Sequence, residues 1–311
     1  AGWQYSEDRR SWKAVALLFV CGSLGVIVYL NLKAGRSFAW SFIPEDAKHE
    51  ARDRDYFFVL GFWAWGIWTG LGAVRLARRL KLPTWAGVAV AALPVALNWS
   101  AVNRRVEPEA SMARELAGAL LEPLPRRAVL FVSGDNDTYP LWYAQGVEGV
   151  RRDVTVVTLP LLGAQWYVSE LERRWGLATS GAGLADRVAP QLAASARAQG
   201  RPLAVALTVS SEDRTRLGGN WRVIGIAAVS DNEDESRPSG SSVDSAVIQV
   251  DSSAVAAQAH RIEGWLAGRV PRPQIDPVHE FYGRVLTCPK LLLAPRSTAV
   301  TASLDSLCNL R

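Results

Sequence analysis

Three long apolar windows without a charged residue stand near the start of the chain, at residues 14–32, 56–74 and 84–102. Each window has 19 residues, close to the ~20 that an α-helix needs to cross ~30 Å of hydrocarbon. A helix at the surface of a soluble protein keeps a polar face, and these windows have none. We therefore expect three transmembrane helices, with three buried helices of a soluble protein as the alternative.

Beyond residue 102 the pattern changes to short apolar runs that alternate with segments of helical spacing. Strands that alternate with helices predict an α/β domain with a mainly parallel sheet. The expected division is a transmembrane region over 1–106 and an α/β domain over 107–311, with a polar surface loop near 230–245. Strands are predicted at 128–132, 153–159, 203–209 and 222–229, and helices at 107–122, 138–146, 164–175 and 252–268.

The distribution of basic residues and cysteines indicates where the α/β domain lies. The linker 75–83 (RLARRLKLP) is densely basic, and short basic loops remain in the cytoplasm. With three spans, the large C-terminal domain is then extracytoplasmic. In that oxidising compartment Cys288 and Cys308 could form a disulfide worth about 3 kcal/mol, whereas two unpaired thiols are the alternative.

The segment SGDNDT at 133–138 follows a predicted strand and enters a predicted helix. Open α/β sheets place their sites at the carboxyl ends of strands, so Asp135, Asn136 and Asp137 are candidate site residues. The two carboxylates could hold a divalent cation such as Mg²⁺ together with a phosphate. Alternatively, these side chains are turn and helix-cap residues that accept backbone N–H bonds. No other metal site is predicted.

A second group of candidates, Arg52 and Arg54, lies directly before the second apolar window. A guanidinium at a membrane surface can bind a lipid phosphate through paired N–H donors. Alternatively, the two arginines are neutralised by Asp53 and Asp55 as an ordinary charged cap. The net charge of +5, without a basic stripe interleaved with aromatic residues, gives no case for nucleic acid as a partner.

Two stretches, ARDRDYFFVLGFWAWGIWTGLG at 51–72 and SGDNDTYPLWYAQGVEGVRRDVTVVTLPLL at 133–162, carry a family resemblance. They resemble the C-terminal portion of the protein O-mannosyltransferase-like membrane proteins of glycosyltransferase family 117. The resemblance implies a GT-C type enzyme of the bacterial inner membrane. Such an enzyme transfers mannose from a polyprenyl-phosphate donor to Ser or Thr of a polypeptide acceptor.

The catalytic acid of such enzymes lies in an early extracytoplasmic loop, a region that the resemblance places before Ala1. The chain starts at Ala1, and its single methionine is Met112, so we expect a C-terminal portion of a longer protein that transfers no sugar alone. The catalytic residue is therefore unknown. The alternative is a non-enzymatic, membrane-anchored module that binds a protein or a glycan.

Overall fold

The computed structural model describes residues 1–30, 55–103, 105–179, 185–230, 248–269, 277–295 and 308. The chain divides into two units, Ala1–Asn103 and Arg104–Arg311. The first unit is helical and carries the apolar windows. The second contains a sheet covered by helices.

The first unit begins with a short helix, α1, and a long helical segment that starts at α2. The carboxylate of Asp8 caps this segment by accepting hydrogen bonds from the backbone N–H groups of Arg10 and Ser11, which would otherwise lack partners. The elements are α1 (Gly2–Glu7), α2 (Arg9–Val20), a π-helical turn (Cys21–Gly25), α3 (Val26–Tyr29), a 3-10 turn (Asp55–Phe58), α4 (Val59–Arg79) and α5 (Thr84–Val102).

Two helical segments, Arg9–Tyr29 and Tyr56–Arg79, are long and apolar enough to cross a membrane. Only 6% and 11% of their apolar windows are buried, so neither is enclosed by the rest of the chain as a core helix would be. The prediction of three spans is met for these two segments, whereas the third apolar stretch, Thr84–Ser100 within α5, is shorter than they are. The whole of α5 has 19 residues, which is about 29 Å at ~1.5 Å per residue.

The two long segments cross at a pair of glycines. A Cβ atom added to Gly22 would lie 2.4 Å from the backbone N of Gly61, and one added to Gly61 would lie 2.6 Å from the backbone O of Gly22. Only residues without a side chain permit this approach of two helix backbones, which is the way that small residues pack helices in membranes.

The second unit is built on a six-stranded sheet in the order β2-β1-β3-β5-β4-β6. The strands β1, β2 and β3 are mutually parallel, as are β4 and β6, but β5 is antiparallel to both β3 and β4. The sheet is therefore mixed: β5 runs against the other five described strands, so the prediction of a mainly parallel sheet is confirmed in part. The strands are β1 (Val129–Val132), β2 (Thr155–Thr158), β3 (Leu203–Ala206), β4 (Trp221–Val223), β5 (Ala227–Ser230) and β6 (Ile248–Val250).

The antiparallel pair arises where the sequence predicted one strand over 222–229. Gly225 adopts φ +133°, and a Cβ there would meet the side chain of Gln258 at 2.2 Å, so the run turns back as β4 and β5. Gln258 holds this turn by accepting from the N–H of Ile226 and donating to the carbonyl of Ala119. The predicted polar loop near 230–245 lies outside the described residues, except for Ser230 at the end of β5.

Helices enclose the sheet, and their apolar faces form one core with the strands. Within this core α12 carries Cys288, which the structure joins to Cys308 by a disulfide with the two Cα atoms 6.0 Å apart. The helices of this unit are α6 (Met112–Leu121), α7 (Asp135–Gly146), α8 (Gln165–Trp175), α9 (Ala185–Ala198), α10 (Ser211–Leu217), α11 (Ser252–Leu266) and α12 (Pro277–Leu293).

Candidate functional site

The carboxyl ends of β1, β2 and β3 form one edge of the sheet. After β1 the chain continues to β2 on one side and later returns as β3 on the other side, so the crevice between β1 and β3 is a topological switch point, where open sheets bind ligands. A pocket of about 240 Å³ lies at this edge, lined among others by Ser133 after β1, Leu159 after β2, and Asp213 and Arg216 of α10. This pocket is the first candidate site.

The predicted segment at 133–138 lies at this edge, where it converts β1 into α7. The carbonyl of Gly134 accepts hydrogen bonds from both the backbone N–H and the hydroxyl of Thr138, at 2.9 and 2.8 Å. The Thr138 hydroxyl also lies 2.9 Å from that of Thr158, at the end of β2. The loop is thus fixed to the neighbouring strand by polar contacts.

Asp137 is the one candidate carboxylate that is enclosed, with 1% of its surface exposed. Its Oδ2 accepts hydrogen bonds from the backbone N–H of Ser133 at 3.1 Å and from the Thr208 hydroxyl at 2.6 Å. Its Oδ1 has no hydrogen-bond partner among the described residues. Burial raises the pKa of Asp137 to about 6, although the bonds from Thr208 and Ser133 act in the opposite direction, because they favour the charged form.

The other two candidates do not join Asp137 in a metal site. Asp135 is exposed, whereas Asn136 is half-buried. Residues two apart in a helix do not face each other, so the two carboxylates lie on different sides of α7. Across the described residues no group of three His, Cys, Asp or Glu side chains could hold a metal ion. The Ser133 bond instead gives Asp137 a capping contact at the start of α7.

A second, larger cleft of about 590 Å³ lies beside the edge strand β2, between α7 and α8. The hydroxyl of Tyr167 accepts from the N–H of Thr158 and donates to the carbonyl of Val156. A side chain therefore satisfies two backbone groups of this edge, which hinders pairing of β2 with another strand.

Three tryptophans and several charged side chains line this cleft, and the sequence analysis did not single it out. Trp166 is 63% exposed and Trp142 is 39% exposed. The signal was present, since Tyr167, Val168 and Leu171 already form the buried stripe of α8. Trp166, Glu170 and Arg174 follow at four-residue spacing and form the adjacent, open face.

The loop that leads from α7 into β2 is anchored by Arg151. Its Nη1 donates to the carbonyls of Leu121 and Leu124 at 2.8 Å, while Nε and Nη2 hold both oxygens of Asp153. This paired contact keeps the pKa of Asp153 well below its usual range. The end of α6 and the start of β2 are joined through one guanidinium.

Of the remaining predicted residues, Arg52 and Arg54 lie outside the described residues. The disulfide joins Cys288 of α12 to Cys308 in the C-terminal tail.

The sequence comparisons identify one segment of the chain. A family model described as TMEM260-associated domain 2 matches residues 113–180, which contain β1, β2, α7, α8 and the loop at 133–138. The match covers 68 of 311 residues. No curated protein and no solved structure matches the chain.

Proposed function

We propose that this chain is the C-terminal part of a GT-C type membrane glycosyltransferase, which transfers mannose from a polyprenyl-phosphate donor to Ser or Thr of a polypeptide. One observation carries the proposal: the domain match at 113–180 spans the whole stretch 133–162 that resembles family 117. The description of the matched model names it as a domain associated with TMEM260.

Each part of the chain has a role in this proposal. The two long apolar segments and the apolar helix α5 all cross the bacterial inner membrane, so that the α/β domain lies on the extracytoplasmic side, where it contacts the acceptor. Arg52 and Arg54 bind the donor phosphate at the membrane surface, because a guanidinium offers phosphate two parallel donors. The catalytic acid is supplied by the part of the protein that precedes Ala1.

The test is a transfer assay on the full-length protein in lipid nanodiscs, supplied with polyprenyl-phosphate mannose and a Ser/Thr-containing polypeptide. Mass spectrometry should detect the addition of one hexose to the acceptor. Arg54→Lys should lower the rate of transfer and raise the donor concentration that gives half the maximal rate, although the charge is kept. Arg79→Lys, a matched change at the end of α4, should leave both unchanged.

Two outcomes decide the parts of the proposal separately. If the folded full-length protein transfers no sugar to any Ser/Thr acceptor, the enzyme assignment is rejected. If transfer occurs but Arg54→Lys and Arg54→Ala keep the parent's donor dependence, only the phosphate role of the arginine is rejected. The chain from Ala1 to Arg311 expressed alone should transfer nothing.

The second candidate function is a non-enzymatic, membrane-anchored binding module. The open aromatic cleft beside β2 favours it, because such a surface can bind a ligand without carrying out chemistry. Binding without transfer in the same assay would support this alternative.

A further inference from the structure

We propose that the cleft between α7 and α8 is a saccharide-binding site, with a short oligosaccharide seated on Trp142 and Trp166. The inference deepens the binding roles proposed above, but it concerns binding alone and does not require that the protein transfers sugar. It rests on the chemistry of the cleft lining, on the exposure of its aromatic rings and on the rigidity of the elements that hold them.

The apolar part of the lining is mostly aromatic. Trp142, Trp166 and Trp175 line the cleft, and among the described residues the aliphatic lining consists of Val156 and Leu171. A site for an acyl chain or an apolar peptide is expected to be lined by flexible aliphatic side chains and methionine. Flat rings suit a pyranose, which presents a face of C–H groups to an aromatic surface while its hydroxyls remain at the rim.

The polar part of the lining offers hydrogen-bond donors and acceptors that suit hydroxyl groups. Glu170 and Arg174 form an ion pair at 2.6 Å, and Arg152 donates to the carbonyls of Gln145 and Gly146 at the end of α7. Glu170 and Arg174 offset each other's charge, whereas Arg152 is hydrogen-bonded to neutral carbonyls and keeps its positive charge. These groups present planar donors and acceptors to a ligand, and a ligand with many hydroxyls matches this rim.

The cleft is held in shape by contacts behind its surface. The side-chain amide of Gln145 donates to the carbonyls of Arg151 and Val154 at 2.9 and 2.8 Å, which ties α7 to the strand entry. On the other side, the buried Tyr167 hydroxyl ties α8 to the backbone of β2. Binding to a preformed surface loses little conformational entropy, as weak saccharide contacts require.

The cavity is also the right size. Its volume of about 590 Å³ lies within the ~300–1,000 Å³ of small-ligand pockets. It is open along one side, which lets a chain longer than one sugar extend into solvent. Exposed aromatic side chains on a domain surface mark a site of interaction, and here the exposed Trp142 and Trp166 line the larger cavity.

The experiment uses the full-length protein in nanodiscs, labelled with 5-fluorotryptophan and titrated with mannotriose while ¹⁹F NMR spectra are recorded. The resonances of Trp142 and Trp166, assigned by Trp→Phe variants, should shift with one common dissociation constant. The resonance of the fully buried Trp221 should not move. Trp166→Ala should weaken binding roughly 2- to 10-fold, the range expected for one aromatic contact.

Further variants keep the proposal testable if one of them perturbs the fold. Trp142→Ala should weaken mannotriose binding by a similar factor, and the double variant by about the product of the two. Trp85→Ala, an exposed tryptophan of the first unit, should leave the affinity unchanged. Equal mannotriose affinity of the folded double variant and the parent would overturn the proposal.

Two other occupants are tested with the same resonances. If doxyl-labelled lipid in the nanodisc broadens Trp142 and Trp166, the aromatic face lies on the membrane surface and the saccharide proposal is rejected. If a sugar-free Ser/Thr peptide shifts both resonances and mannotriose does not, the cleft is a peptide site. Because no transfer is measured, failure of this experiment leaves the glycosyltransferase proposal standing. A failed transfer assay likewise leaves the saccharide-binding proposal standing.

Discussion

The Thr208 hydroxyl donates a 2.6 Å hydrogen bond to Oδ2 of Asp137. Thr208 follows β3 and Asp137 follows β1, so the bond joins the two sides of the crevice at the topological switch point of the sheet. The same oxygen accepts from the backbone of Ser133. One buried carboxylate therefore fixes both the start of α7 and the exit from β3, beside the 240 Å³ pocket.

Thr208→Val should destabilise the α/β domain by about 1.5–3 kcal/mol at pH 7, the usual contribution of a hydrogen bond to a charged group. The valine has the same shape but cannot donate to the carboxylate. The loss should be smaller at pH 4, where Asp137 is protonated. Urea unfolding of the full chain in detergent, followed by near-ultraviolet circular dichroism, measures both values.

Thr208→Ser is the matched control, since it retains the hydroxyl and loses one methyl group. It should keep most of the stability at pH 7. If the Val and Ser variants lose equal stability at both pH values, the hydroxyl does not bond the ionised carboxylate.

Asp137→Asn should remove a pH dependence from the domain. The pKa of Asp137 rises from 3.8 to about 6 on folding, so the folded state favours the protonated form. The resulting stability is fully present below about pH 3.8 and is lost as the pH rises through about 6. At ~1.36 kcal/mol per pKa unit, this rise in pKa corresponds to about 3 kcal/mol.

The quantity to compare is the change in the free energy of unfolding between pH 4 and pH 7. Between these pH values the free energy of unfolding should fall more in the parent than in Asp137→Asn. This comparison holds whatever the Asn change does to stability at one pH. Asp135→Asn removes an exposed carboxyl from the same helical turn and should leave the parent's slope in place. Parallel profiles for the parent and Asp137→Asn would contradict the buried-carboxyl assignment.

Local elements of the α/β domain followed from the sequence more readily than their pairing did. The apolar runs that hold β1, β2 and β3 and the helical spacing of α8 are local signals, and each of these elements lies within its predicted range. Pairing direction is not local, because an apolar run reads the same in either direction. The turn at Gly225 depends on Gln258, more than 30 residues away, so β4 and β5 were merged into one strand.

The sequence predicted the position of the candidate site but not its detailed contacts. Residues 133–138 lie at the carboxyl edge of the sheet because strands place their sites there. Which carboxylate is enclosed depends on Thr208, which no spacing rule connects to Asp137. Similarly, an indole in a helix reads as apolar in a sequence, and only the packing of Tyr167 beneath it shows that Trp166 is exposed.

Gly61→Val should separate the two long apolar segments of the first unit. Its side chain would begin at the Cβ position 2.6 Å from the Gly22 backbone, and overpacking of this kind costs about 1–3 kcal/mol or more. The thermal unfolding temperature of the chain in detergent should fall. Gly66→Val on the same helix has nothing within 4 Å of the added Cβ, so its effect should be small, and equal losses would contradict the crossing.

The disulfide between Cys288 and Cys308 gives a test of both stability and location. The bridge closes a loop across 20 positions and ties the buried end of α12 to the tail. Cys308→Ser should therefore lower the free energy of unfolding by about 3 kcal/mol, mainly because the unfolded chain gains freedom. Cys21→Ser removes the unpaired thiol and should leave that free energy nearly unchanged.

Alkylation of the chain from intact cells, without reductant, then reports the compartment. An extracytoplasmic α/β domain should keep its two cysteines unlabelled until dithiothreitol is added, because disulfides persist in oxidising compartments and not in the cytosol. Mass spectrometry of the tail peptides separates the two states. Full labelling of Cys288 and Cys308 before reduction would contradict the bridge and remove one of the two arguments for an extracytoplasmic domain. The basic linker at 75–83, together with a membrane crossing by α5, would then be the sole argument for that orientation.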